Sequence, residues 1–515
     1  MTVTHKAVIS GCAAILVMSL IVAPDKVSSS IEKPVIAIDK ERARDPAIQE
    51  LSGAVAHFLM GTFYDNFGDV PQATSEYEDA LKNMPDVGEI YLKLGADFVI
   101  QGDVEKAKLY LIKAKEVDPD NVRSYLLLAV INTAKGDFPA AEVLYEAALE
   151  REPDNLKTLT FLSDLYVIQQ KLDKAANVYE KILRVRKDDA FVFFNLGIIY
   201  SKLEKMDKAE ANLQKAIEID AGYIEAQMVL GFVYEIEGKY PEAVKQYTRV
   251  LEIDSLNKEA HLRLGQLYYH MGQAEKAVEQ NRVLMRLDMH SPEPYLRNFS
   301  IFVTQKKYAE AEAVLKEALR NEVSSGVIYV SLGYLASITG DHRKAMDYYS
   351  VAVEKEPDNT MYRFYLGTAM ERSGKRNEAV KVLEDVVSSE PGDMPEAYNY
   401  LGYLYVEEGK NLDRAVELIK KALSSDPENG AYLDSLGWAY FKKGMFAEAL
   451  AEMKKAAEVM PGDATVREHL GDVYFALGDR ESAEAEWNTS LALDPGNKAV
   501  RIKIERSRVK AKRKK

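Results

Sequence analysis

Cysteine is almost missing from this 515-residue chain. Its one thiol, Cys12, lies in an apolar N-terminal stretch, so the remainder can form no disulfide and offers no thiol site. Histidine is scarce as well. The seven His show no HExxH spacing and no CxxC pair exists, which leaves a zinc site without ligands and predicts no metal. The glycine patterns that cradle phosphates, GxGxxG and GxxxxGKS/T, are absent, as is the nucleophile elbow GxSxG, and nothing calls for a cofactor. A net charge of −14 excludes nucleic acid as the main partner, because binding a phosphate backbone requires clustered cations. Only one uncharged run nears membrane-spanning length, the 17 residues from Ala7 to Ala23.

What is present begins with that run. Residues 1–23 read as a secretory signal or an N-terminal membrane anchor, with His5 and Lys6 ahead of the apolar stretch. Cleavage could follow Ala23 or Ser30. Ile9-Ser10-Gly11-Cys12 resembles a bacterial lipobox, so lipidation of Cys12 is a third outcome. Each of these predicts a cell-envelope protein with its body on the periplasmic side, and residues 7–23 are the candidate membrane anchor. Residues 24–53 are polar and interrupted by proline, as in a linker. At the other end, residues 498–515 carry ten Lys/Arg against Glu505 alone, which predicts a basic capping helix and tail on a strongly acidic body.

Between these ends runs a 34-residue period. Counting residue 54 as position 1, position 20 falls on Ala73, Ala107, Ala141, Ala175, Ala209, Ala243, Ala277, Ala311, Ala345 and Ala379. After two one-residue insertions it resumes at Ala415, Ala449 and Ala483. Thirteen alanines in thirteen units have odds on the order of 10^-13 by chance. Position 8 is glycine in ten units, from Gly61 to Gly471, with Ala129, Ser163 and Phe299 in the others; position 11 is tyrosine in eight, and position 32 is proline in eight. Apolar residues at 4, 7, 8 and 11 and at 20, 24 and 27 place one stripe on each of two helices. The small residues at 8 and 20 allow a close crossing, Pro at 32 ends the second helix, and the Asn that often follows two residues later caps the next first helix. Glycine near position 15 supplies the left-handed residue that ends the first helix. Phe299 and the prolines 292 and 294 predict a departure from the regular stack at the eighth unit.

These positions resemble the tetratricopeptide repeat over residues 54–497. The resemblance implies an all-α, right-handed superhelical solenoid of about thirteen helix-turn-helix repeats whose first helices line a concave groove. It also implies a non-enzymatic scaffold that holds a protein or peptide and takes no small-molecule substrate. Two specialised versions are not reproduced. The asparagine ladder at position 6 of certain glycosyltransferase arms has a single counterpart here, Asn195, and the Lys/Asn/Arg clamp that grips C-terminal carboxylates is replaced by mostly apolar residues at position 5.

By the same resemblance, positions 2, 5, 9, 12 and 13 face the groove. They make Tyr334, Phe364, Tyr403, Trp438, Phe441 and Phe475 one candidate partner-binding group, and Phe191, Phe194 and Phe232 (with Ile198) a second. An apolar groove on an acidic body suits a peptide with hydrophobic anchors and basic flanks. Two roles fit. One is an adaptor for assembly, secretion or export machinery of the envelope; the alternative is a chaperone-like holder of unfolded export substrates. Core packing competes with binding for every one of these aromatics.

Overall fold

A computed structural model of the chain describes residues 45–389 and 394–512. The apolar run 7–23, Cys12 and most of the expected linker lie outside the described residues, as do residues 513–515 of the tail. Every regular element among the described residues is a helix. Thirteen helix-turn-helix pairs run from Pro46–Phe67 with Val70–Leu81 to Ala464–Ala476 with Arg480–Leu493, and Lys498–Lys512 follows as a single helix. The fold is all-α repeat. Contacts divide the chain into two compact units, residues 1–260 and 261–515, the boundary falling within helix Lys258–His270. Inside each unit the helices of a pair pack together, and each second helix packs on the next first helix.

The helices start and stop where the chemistry of the turns dictates. Asn155, Asn359 and Asn429 cap first helices through their side-chain oxygens, whereas Asp69, Asp103, Asp137, Asp341 and Asp479 cap second helices. Left-handed glycines such as Gly102 and Gly238 occupy position 15. Gln170, Glu204 and Lys306 hold the same left-handed conformation without being glycine, so the repeat imposes the turn even where the sequence does not favour it. One boundary differs from the sequence reading. The first helix begins at Pro46, inside the expected 24–53 linker, because Asp45 accepts from the Ala47 N–H at 3.0 Å and Pro46 occupies the first turn, where a missing N–H costs nothing.

Packing centres on the crossing of positions 8, 20 and 24. All thirteen position-20 alanines are fully buried. A Cβ built at Gly402 would meet Ile419 Cγ1 at 2.6 Å and the Ala415 carbonyl oxygen at 3.1 Å, and one at Gly471 would meet the Trp487 ring at 2.5 Å. The side chain at position 24 thus lies flat on the glycine, and no larger residue fits without separating the helices. The eighth unit departs from this plan. Phe299 is buried at position 8 beside Leu315, and the adjoining seam carries a buried amide pair, Asn281 Nδ2 donating to Asn298 Oδ1 at 2.8 Å.

A second polar seam lies in the first two repeats. Asp97 is buried and accepts from Thr74 Oγ1 at 3.3 Å; Gln101 Nε2 donates to the same hydroxyl at 2.7 Å. Asp65, nearby, accepts from Tyr77 Oη at 2.7 Å and pairs with Lys93 at 3.1 Å. Burial, and then the charge of Asp65, push the Asp97 carboxyl up to about 8. A carboxyl raised above its unfolded value of about 3.9 holds its proton more tightly when folded. Its contribution is therefore fully favourable below about pH 4 and is lost as pH rises towards 8.

Two outcomes follow. Asp97→Asn should stabilise the fold relative to wild type by an amount that grows between pH 4 and 8, and thermal melts across that range test it; a constant difference would remove Asp97 as the titrating group. Ala415→Leu, which forces three carbons into the Gly402 crossing, should cost about 1 to 3 kcal/mol or more, whereas Glu417→Leu on the exposed face should change the melt little.

Candidate partner-binding surface

In the second unit, the first helices Pro395–Glu408, Gly430–Lys442 and Ala464–Ala476 bring together several of the aromatics singled out above. Trp438, half-buried, is stacked between two rings: Phe441 at 4.7 Å and 5° on one face, His469 at 4.1 Å and 12° on the other. Its indole N–H donates to Glu407 at 3.2 Å, and Lys442 Nζ lies 5.1 Å from its ring centre. His469 is itself fixed. Its Nδ1 lies 3.0 and 3.2 Å from the two oxygens of Asp434, and both side chains are buried. Tyr403 stands half-buried among these acids; burial, then the charges of Glu407 and Asp434, raise its phenol above the ordinary tyrosine range.

The remaining candidates divide by exposure. Phe364 packs edge-on against Tyr400 at 6.0 Å, and burial followed by the charge of Glu371 pushes the Tyr400 phenol up to about 12. Phe475 rests on Trp487 at 5.4 Å, in the cluster that the last helix closes through Val500 and Ile504. Tyr334 is different, with 48% of its surface exposed. In the first unit, Phe194 lies against Tyr223 at 4.9 Å and Ile198 is half-buried, while Phe191 and Phe232 stand 58% and 43% exposed. Three of the nine aromatics are therefore exposed over two fifths or more of their surface, and six are engaged largely by the fold.

The same 34-residue unit is matched by models of known repeats. The tetratricopeptide repeat model matches residues 132–196 and 440–504, a second 92–155 and 296–360, a third 190–223, and the TPR repeat model 236–272. The chain belongs to the tetratricopeptide repeat family. A model of the Psidin N-terminal TPR repeats region also matches residues 334–457. Among characterised proteins the chain is similar to a protein O-mannosyl-transferase of Homo sapiens, 31% identical over 134 residues, covering 26% of this chain and 14% of the transferase. It is also similar to a TPR repeat-containing protein of Pseudomonas aeruginosa, 37% identical over 78 residues, covering 15% of this chain and 13% of that one. The chain thus spans about one seventh of the length of these relatives. The solved structure of Naa15/Naa10 bound to HypK-THB aligns over 86% of this chain and 68% of that one, with 17% identity and a TM-score of 0.45. The tetratricopeptide fold suggests a protein-interaction scaffold.

No residue in the stack around Trp438 is idle, and this changes what each substitution measures. The expectation had Trp438, Tyr403 and Phe441 on one open stripe. Instead both faces of Trp438 are covered, and its frame comes from Glu407, Asp434 and His469, which the sequence reading missed. Part of their signal was available: Asp434 stands at position 5, where most units are apolar, and His469 at position 6 of the next repeat. Trp438→Ala is expected to cost about 2 kcal/mol or more of stability through loss of the stack. Tyr334→Ala should leave the helical melt unchanged. An unaltered melt for the Trp438 variant would show that the stack carries no packing energy.

Proposed function

We propose that this chain is a non-catalytic adaptor of the cell envelope that holds a partner protein or peptide on its first-helix surface. The observation that carries it is the exposure of Phe191, Phe232 and Tyr334 on first helices whose neighbouring position-8 and position-20 residues are tightly packed. Aromatic rings bury large area with few rotors to immobilise, which makes exposed ones on a rigid support effective anchors. The acidic body favours a partner with basic flanks around hydrophobic residues. No small molecule and no cofactor is needed for that role. Placement in the envelope rests on the uncharged run from Ala7 to Ala23; among the described residues, no helix is long and apolar enough to cross a membrane.

Two measurements test the proposal. Crosslinking and purification from membranes should recover one dominant protein, and the triple variant Phe191→Ala, Phe232→Ala, Tyr334→Ala should lose it while keeping the wild-type melt. Recovery of many unrelated proteins at comparable yield would instead assign the chain as a holder of unfolded export substrates. A reporter fused after residue 50 should be active outside the cytoplasm; activity only inside it would end the envelope assignment.

A further inference from the structure

The first helix, Pro46–Phe67, has an apolar face that nothing among the described residues covers. Within each unit the later first helices rest on the second helix of the pair before them, and among the described residues no helix precedes this one. Its inner side is ordinary core: Ala54 and Gly61 are buried, and Gly61 receives the Tyr77 ring. Its outer side carries Leu51, Val55, Leu59, Phe63 and Phe67, spaced by four residues, with Leu59 61% and Phe67 74% exposed. No charged residue lies on that arc between Leu51 and Phe67; His57 meets Glu76 of its own pair and Asp65 meets Lys93 of the next pair. The exposed apolar area is on the order of several hundred Å², the scale at which a patch marks an interaction site. The opposite end of the array shows the contrast, since Val500 and Ile504 of the last helix are buried against Trp487.

We propose that this face pairs with the same face of a second copy of the chain, antiparallel, about a two-fold axis near residues 57 and 58. The order of side-chain sizes selects that occupant. One exposed arc of this face holds Ile48, Ser52 and Ala56 towards its N-terminal end and the larger Leu59, Phe63 and Phe67 towards its C-terminal end. Antiparallel pairing sets Phe67 opposite Ile48, Phe63 opposite Ser52 and Leu59 opposite Ala56, so that each large group meets a smaller one, as helix packing requires. Parallel pairing would oppose Phe63 to Phe63 and Ser52 to Ser52, a clash beside a void. A two-fold axis makes the contact self-complementary and closed, and it ends the array without leaving a sticky end. The helix has 22 residues and is about 33 Å long, enough for three heptads of contact.

The experiment uses the full chain in non-ionic detergent, with Cys12→Ser as background so that introduced thiols are the only ones. Sedimentation at micromolar concentration should give a dimer. Leu59→Glu with Phe63→Glu should weaken self-association at least tenfold and leave helical content and melting of the monomer unchanged, because both side chains are exposed in one copy. Under mild oxidation, Ser52→Cys with Phe63→Cys should form intermolecular disulfides, whereas Ser52→Cys alone should not, its two thiols standing about 16 Å apart along the axis. Crosslinking of Ser52→Cys alone would overturn the antiparallel arrangement. A monomeric wild type would overturn the pairing altogether. In that case a fall in melting temperature for the Glu variants would assign the face to this chain's own N-terminal residues, and a co-purifying stoichiometric protein would assign it to a different partner.

Discussion

One crossing governs the structure: a position-20 alanine with no exposed surface, a position-8 residue that is small in every unit but the eighth, and the position-24 side chain laid on it. Because the two backbones approach so closely, the helices of a pair cannot slide or rotate independently, and the angle between them repeats along each unit. The rest is consequence. The left-handed residue at position 15 is needed to turn the chain back at that angle, which is why Gln170, Glu204 and Lys306 accept a conformation that L-residues disfavour. A cost of about 1 kcal/mol at one turn is small against the several kcal/mol that a misplaced crossing would lose.

A repeat that solves packing this way leaves little freedom for function inside it. Variation falls outside the crossing, on both helices of the pair, and at the two ends of the described array. Within the second unit those positions hold the Phe441–Trp438–His469 stack and its acids, and in both units they hold exposed rings. At the ends of the described array the physics changes again, because an end helix has fewer described neighbours. After the thirteenth pair a helix buries Val500 and Ile504 and pairs Lys503 with Glu468 and Asp472, whereas the first described helix keeps an apolar face exposed.

The period made the fold legible. Thirteen alanines and ten glycines at fixed spacing determine which faces touch, and the caps and turns follow from residue types with known backbone preferences. Legibility failed where one residue has two meanings. Pro46 reads as a linker breaker in isolation, yet after Asp45 it starts a helix. Trp438 reads as an open anchor from its register, but register does not reveal that His469, one repeat later, lies over its second face. The open stripe on the first helix was hidden for the same reason. Its sequence is that of any amphipathic repeat helix, and only the lack of a covering helix among the described residues sets it apart.

Near-identical repeats raise a problem that the crossing cannot solve, since any unit could in principle stack on any other. The buried polar seams differ from place to place and supply the distinction. Asp97 meets Thr74, Asn281 meets Asn298 and Asp434 meets His469, so a slip by one repeat would break each pair, and it would set Asn281 against Leu264 or Leu332, the apolar counterparts of Asn298 in the adjoining repeats. An unpaired buried polar group costs about 1 to 3 kcal/mol, more if charged, which is a large share of the stability of any single repeat interface. The pairs add little to stability when correctly formed. They act by making the wrong register expensive, and they do so at sites where the regular pattern of apolar residues would otherwise have permitted it.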